Sequence, residues 1–241
     1  MKLILAGCEY AGKRTLGHKI WELWSKKPGY EDKVRPPPAT AFHDHFTFPH
    51  VIGAGDHKDH RDQSEKDIQN VNPGLVEAFQ RYLIEYHFHP SFFKGQDFWL
   101  IDWYYGEAVY APFKWGYGRA GEYGDRRESR KHWDERLMEL YPGFVLVLME
   151  ASPEAIQQRM RDGNSLYPKR HQAAMLKGKD VGLKPEDIGH VLQRFREEYE
   201  GSLIQNRFKL DTSTATVRET LDQFVEKIKP YLDANELPPC R

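Results

Sequence analysis

Four apolar residues at the start of the chain, Leu3 to Ala6, run straight into GCEYAGKRT, residues 7–15. A short apolar run, then glycine, four residues, glycine and lysine, then an amphipathic stretch predicts a strand, a tight loop and a helix. In that setting backbone N–H groups converge on a phosphate at the positive end of the helix, and the lysine reaches its outer oxygens. Gly7, Gly12 and Lys13 meet the spacing, with Ala11 beside them. Arg14 stands where a hydroxyl residue would ordinarily follow the lysine, and Thr15 supplies that hydroxyl one place later. A chain opening this way is constrained to an α/β sheet with the loop at the carboxyl end of a central strand.

The rest of the chain agrees with that constraint. Apolar runs at 2–7, 40–46, 98–103, 144–150 and 207–211 read as strands, and amphipathic stretches at 12–25, 73–87, 129–140, 153–162, 185–203 and 215–232 read as helices. Alternation of this kind gives a parallel sheet covered by helices. Two stretches resist regular reading: residues 50–72, polar with His50, His57 and His60, and residues 106–127, rich in glycine and aromatic residues. Both follow a strand's carboxyl end and are expected to be long substrate-side loops.

At 241 residues the chain is long enough for one generous domain, spanning 1–241. Its 35 basic and 36 acidic residues nearly cancel, so nothing global steers it to nucleic acid or an anionic membrane. Two cysteines, Cys8 and Cys240, make no disulfide framework and fit a reducing cytoplasmic setting. No apolar run approaches the length of a membrane span. Spaced as they are in a polar stretch, the histidines do not converge as metal ligands do.

GCEYAGKRT, the acidic strand end LIDWYYGEAVY, VLVLMEASPEAIQQRMR and the closing RFKLDTSTATVRETLDQFV together resemble the P-loop nucleoside and nucleotide kinases, with thymidylate kinases and deoxynucleoside kinases as the nearest relatives. The lysine–any residue–threonine form is the one seen in adenylate-kinase-like members. The resemblance implies a three-layer α/β/α P-loop NTPase fold with a parallel five-stranded sheet in the order 2-3-1-4-5. It implies ATP and Mg2+ as cofactors, and transfer of the terminal phosphoryl group to a small acceptor, a nucleoside or nucleotide. Dimers are common in those families, so a homodimer is an expected assembly; a nucleic-acid partner is not expected.

Residue by residue, the resemblance places Gly7, Ala11, Gly12, Lys13, Arg14 and Thr15 around the phosphates, and Asp211 and Thr212 beside the adenine base. Asp102, at a strand end, would hold magnesium through water or accept a proton, with Thr15 completing the metal's shell. Asp44, between His43 and His45, is the proposed general base for the acceptor hydroxyl. Arg159, on the helix after Ser152-Pro153-Glu154, is the proposed cation of a mobile lid spanning about 159–184. Thymidylate kinases carry an arginine after the strand-three aspartate; Trp103 stands there instead. Gln80 and Arg81 could hold an acceptor, and Trp103, Tyr104, Tyr105, Tyr110, Phe79 and Tyr82 could stack on one or simply fill the core. Arg126, Arg127, Arg130 and Lys131, interleaved with acidic residues, read as a salt-bridged surface. Two alternatives stay open: a kinase of the same fold for a non-nucleotide acceptor or a modified DNA base, and a non-catalytic nucleotide-binding module.

Overall fold

The computed structural model describes residues 1–26, 71–89, 98–162 and 183–232. Strands β1 (Lys2–Gly7), β2 (Phe98–Ile101), β3 (Val145–Glu150) and β4 (Arg207–Asp211) form one parallel sheet in the order β2-β1-β3-β4. This is the expected order without its outermost member. The sheet has four strands among the described residues rather than five, because the segment 40–46 expected at the edge lies outside them. β1 and β3 are buried along nearly their whole length. Strands covered on both faces read as unbroken apolar runs, which is why both were visible in the sequence.

Helices α1 (Lys13–Trp24), α2 (Pro73–Tyr86), α3 (Trp103–Tyr110), α4 (Arg126–Leu140), α5 (Pro153–Asp162), α6 (Ile188–Glu200) and α7 (Val217–Ile228) surround the sheet. One group pairs α1 with α7 and another gathers α3, α4 and α6. Leu16, Ile20, Leu23 and Trp24 turn inward from α1 at helical spacing. Trp24 meets Phe224 of α7 edge-on at 5.9 Å. Gly17 lets α1 press on the sheet: a methyl there would lie 2.9 Å from the Trp99 indole nitrogen.

The expected loop over 106–127 is largely helical. α3 is buried at every position, a π-helical turn (Ala111–Trp115) extends it, and α4 begins at Arg126, three residues before the expected start. Only residues 116–125 remain as loop, braced where Arg126 N–H donates to the Gly118 carbonyl at 3.0 Å. A helix buried all round shows no amphipathic period, so its aromatic and glycine content masked it. Trp103, Tyr104 and Tyr105 are core residues packed with Phe88 and Trp133.

The basic cluster is corrected as well. Arg127 and Lys131 are exposed, but Arg126 and Arg130 are buried. Arg126 donates to the Glu77 carboxylate at 2.8 Å and to Glu107 at 3.2 Å, and Tyr117 donates to Glu107 at 2.8 Å. Arg130 reaches Glu198 and Asp134, both at 2.7 Å, and the Gly201 carbonyl at 3.0 Å. Asp134 also accepts from Tyr104 at 2.8 Å and Tyr105 at 2.7 Å. These are the charges that join α2, α3, α4 and α6 into one unit.

Candidate active site

β1 ends at Gly7, whose backbone presses against β3. Its φ is +154°, and a side chain there would collide with the Met149 carbonyl at 2.4 Å. The loop then turns through Tyr10 and Gly12, both with positive φ, and the Ala11 N–H donates to the Cys8 carbonyl at 3.2 Å. Gly12 caps α1 in a left-handed conformation that supplies no side-chain acceptor, and the helix has no acidic residue in its first turn. Its amino end therefore keeps its positive field for an incoming anion. Arg14 and Thr15 lie half-buried on that first turn.

Asp102 fixes the base of the loop. Its Oδ1 accepts the Gly7 N–H at 3.0 Å, and its Oδ2 lies 2.8 Å from the Lys13 ammonium. Lys13 also donates to the carbonyls of Gly7 and, at 3.0 Å, Cys8. Its Nζ sits 5.6 Å from the centre of the Phe195 ring of α6. Lysine and aspartate are only 8 % and 6 % exposed, so this is a desolvated pair of charges. Asp102 has φ 60° and ψ −53°, and Trp103 after it has φ 44°. Two successive left-handed side-chain residues cost of order 1–3 kcal/mol each and persist only where the surroundings hold them. Here the Asp102 N–H continues the ladder to the Leu5 carbonyl at 2.8 Å, while its own carbonyl starts α3.

A second set of contacts ties the loop to the end of β4. The Thr212 hydroxyl lies 3.1 Å from the Ala11 carbonyl and 3.0 Å from that of Glu150. Asp211 accepts from the Ser213 N–H at 2.8 Å and from its hydroxyl at 2.5 Å, and these bonds draw its carboxyl below the usual range. Arg159, from α5, donates to the Tyr10 carbonyl at 3.0 Å, to the Thr212 hydroxyl at 3.1 Å and to the Thr212 carbonyl. Burial lowers its pKa, partly offset by the charge of Asp211. Arg159 thus joins the glycine loop to the segment after β4.

Gly7, Ala11, Gly12, Lys13, Asp102, Arg159 and Thr212 accordingly meet around one loop, with Arg14 and Thr15 on the helix it feeds. Asp44, the histidines of 50–72 and residues 163–182 of the expected lid lie outside the described residues. On the acceptor side, Arg81 is engaged with Glu77 at 2.5 Å and with the Tyr123 hydroxyl at 3.1 Å. Gln80 is 2 % exposed, and its amide nitrogen has no hydrogen-bond partner among the described residues.

Two residues next to the loop were given no role by the sequence. Glu9 accepts from Lys114 at 3.1 Å and from the Leu183 N–H at 3.2 Å, while its own N–H donates to the Tyr110 hydroxyl at 3.3 Å. Their only signal in the sequence was a carboxylate inside a phosphate loop and a single lysine in the apolar run YAPFKW.

No protein-family model and no curated protein matches the sequence. The fold does match solved structures. Deoxyadenosine kinase from M. mycoides with bound dATP aligns with a TM-score of 0.53 at 14 % identity, covering 95 % of this chain and 100 % of that one. The same kinase with products dCMP and a flexible dCDP gives 0.50 at 14 % identity, with the same coverage. A fainter likeness, 0.49 at 14 % identity over 97 % of this chain and 99 % of the other, is to the YorR protein of Bacillus subtilis in complex with phosphorylated GDP. The chain therefore has the fold of the P-loop nucleoside and nucleotide kinases. Among the described residues no helix is long and apolar enough to cross a membrane.

Proposed function

We propose that the protein is an ATP-dependent phosphotransferase that moves the terminal phosphoryl group of ATP to a small acceptor, a nucleoside or nucleotide. The observation that carries this reading is the buried pairing at the loop. One carboxylate, Asp102, binds both the first glycine's N–H and the Lys13 ammonium, beneath a helix start that keeps its amide donors uncapped. A phosphate entering that cradle is met by backbone donors and by a lysine whose carbonyl partners can be exchanged for phosphate oxygens.

Lys13 would stabilise charge that develops on the transferring group, an effect worth roughly 3–4 kcal/mol when a single preorganised donor is removed. The oxygen donors Thr15 and Asp102 suit a hard cation, and because a carboxylate oxygen carries two lone pairs, one that takes a protein donor can also accept a magnesium-bound water. Magnesium would supply charge neutralisation between the phosphates. Thr212 and Asp211 would border the base, and Arg159 would close that end of the site over Tyr10. Gln80 supports a nucleobase acceptor: a buried amide without a partner among the described residues is costly unless a ligand completes it. Asp44 remains the proposed base. Cytoplasmic location and a homodimer are further parts of the proposal.

The direct test is consumption of MgATP against a panel of nucleosides and nucleoside monophosphates, with Lys13→Ala as control. Binding of MgATP lost in that variant, with turnover on one panel member, is the expected result. Binding without turnover on any acceptor would favour a non-catalytic module. Unchanged binding by Lys13→Ala would remove the phosphate cradle itself.

A further inference from the structure

We infer that Lys114 is a second phosphate-binding cation of this site, held in reserve by Glu9. The inference rests on the phosphotransferase reading and adds a residue to it. Lys114 lies on the π-helical turn after α3, one turn beyond Tyr110, with its ammonium 5.0 Å above the Tyr110 ring. π-helical turns are rare and concentrate at functional sites. The Tyr110 hydroxyl accepts the backbone N–H of Glu9 while the Lys114 ammonium grips the same residue's carboxylate, so this face of the helix is fitted to the phosphate loop at two points. The lysine side chain is only 9 % exposed.

Glu9 is placed to release it. Its carboxylate is shared between Lys114 on one oxygen and the Leu183 N–H on the other. Lys13 donates to the Cys8 carbonyl at 3.0 Å and Lys114 to the carboxylate of the next residue, Glu9, at 3.1 Å, so the two ammonium groups are held by the same stretch of loop. An arriving phosphate brings more negative charge than one carboxylate and more acceptor oxygens. An ammonium has three donors on a flexible stem and can turn from one partner to the other. Lys114 then faces a phosphate at the loop's Glu9 edge, while Glu9 keeps its bond to Leu183 and holds the chain that returns to α6. That phosphate is either the donor's terminal group or one carried by the acceptor.

Calorimetric titration of MgATP and MgADP, and of dAMP and dTMP against deoxyadenosine and thymidine, separates these sources. Lys114→Gln is expected to weaken one phosphate-bearing ligand about tenfold while leaving its counterpart lacking that phosphate within about threefold. Loss for MgATP alone assigns the donor's terminal phosphate, and loss for the monophosphates alone assigns the acceptor's. Lys114→Arg should recover most of the affinity. Glu9→Gln keeps an oxygen for Leu183 but takes away the carboxylate charge that competes with phosphate for the lysine, so the same ligand should bind more tightly, by about threefold or more. Opposite signs in the two variants are what a brace between loop and helix would not produce. Losses of similar size in both, or no selective loss in Lys114→Gln, overturn the role of Lys114 and leave the phosphotransferase reading standing if Lys13→Ala still abolishes MgATP binding. A wild-type chain that binds none of these ligands overturns both.

Discussion

The ammonium of Lys13 and the guanidinium of Arg130 are both buried beside an aspartate, yet they are held in different ways. Arg130 spreads three donor nitrogens over Glu198, Asp134 and the Gly201 carbonyl, and Asp134 accepts further from two tyrosines, the Ser202 hydroxyl and the Leu203 N–H. Arg126 is similarly surrounded by Glu77, Glu107 and backbone carbonyls. A planar fork with every partner fixed has one good arrangement, so these arginines act as cement between helices. Lys13 is a point charge between one carboxylate and two carbonyls at a loop of glycines. On the proposed function, its carbonyl partners are the ones phosphate oxygens would replace. Burial of charge alone does not mark a functional site; replaceable partners do.

The largest effect that would test this contrast lies in the helical cluster. Arg130→Ala leaves Asp134 buried without its cation and takes from Glu198 one of its two buried guanidinium partners, Arg194 remaining, and should lower unfolding stability by about 3 kcal/mol, read from urea denaturation. The same measurement on Lys13→Ala should show a smaller loss, since Asp102 keeps the Gly7 N–H. Turnover in Lys13→Ala should instead fall by roughly 10²–10³-fold. Comparable destabilisation in both variants would erase the distinction between cement and machinery.

How much of this was legible follows the same divide. β1, β3, α1 and the loop could be read because each is local: a continuous apolar run, a 3.6-residue period, a glycine–lysine spacing. α7 was legible as an amphipathic stretch over 215–232, but its capping box was not read: the Thr216 hydroxyl accepts from Glu219 N–H while Glu219 accepts from Thr216 N–H. In the helical cluster the stretches 73–87, 129–140 and 185–203 were legible as helices, but the buried charges that join them were not. α4, RRESRKHWDERLMEL, is charged nearly throughout and reads as surface, because the partners that bury Arg126 and Arg130 stand 49 and 68 positions away. Glu107 was hidden inside a buried helix with no amphipathic face. Asp102 was found as a strand-end acid, but its bracing of Gly7 is a contact across the sheet that no spacing encodes.

Arg159 lies between the two plans, a fork like Arg130 but bound to backbone oxygens at the loop. Its three contacts with Tyr10 and Thr212 favour a clamp across the nucleotide end of the site. Arg159→Ala is then expected to raise the Michaelis constant for ATP about thirtyfold, or about 2 kcal/mol, within the roughly 1.5–3 kcal/mol that charged hydrogen bonds contribute. Steady-state kinetics decides the matter. A loss confined to the turnover rate would show that the guanidinium leaves Thr212 and reaches the transferring group, as the sequence resemblance implies.

The smallest effect separates the two regions by pH. Burial pushes the Cys8 thiol far above its ordinary range, despite the nearby Lys13 charge, so the folded protein holds it protonated. In the unfolded chain it ionises near pH 8.5. Stability from the neutral thiol is therefore complete below about pH 8.5 and declines as pH rises toward the folded value, by up to about 1.4 kcal/mol per pH unit. Tyr104 and Tyr105 in the helical cluster are shifted in the same direction by burial and by Asp134, but unfolded tyrosine ionises only near pH 10. Between pH 8.5 and 10 the loop region alone should lose stability, about 1–2 kcal/mol in total, and Cys8→Ala should flatten that part of the curve. Above pH 10 a second decline should begin, and Tyr105→Phe should reduce it without touching the first. A single onset near pH 10, unchanged in Cys8→Ala, would mean that the loop opens to water readily enough for Cys8 to titrate as it does in the unfolded chain. The buried pairing of Lys13 with Asp102 beside it would then be a transient contact, and the contrast with Arg130 would become one of exposure alone.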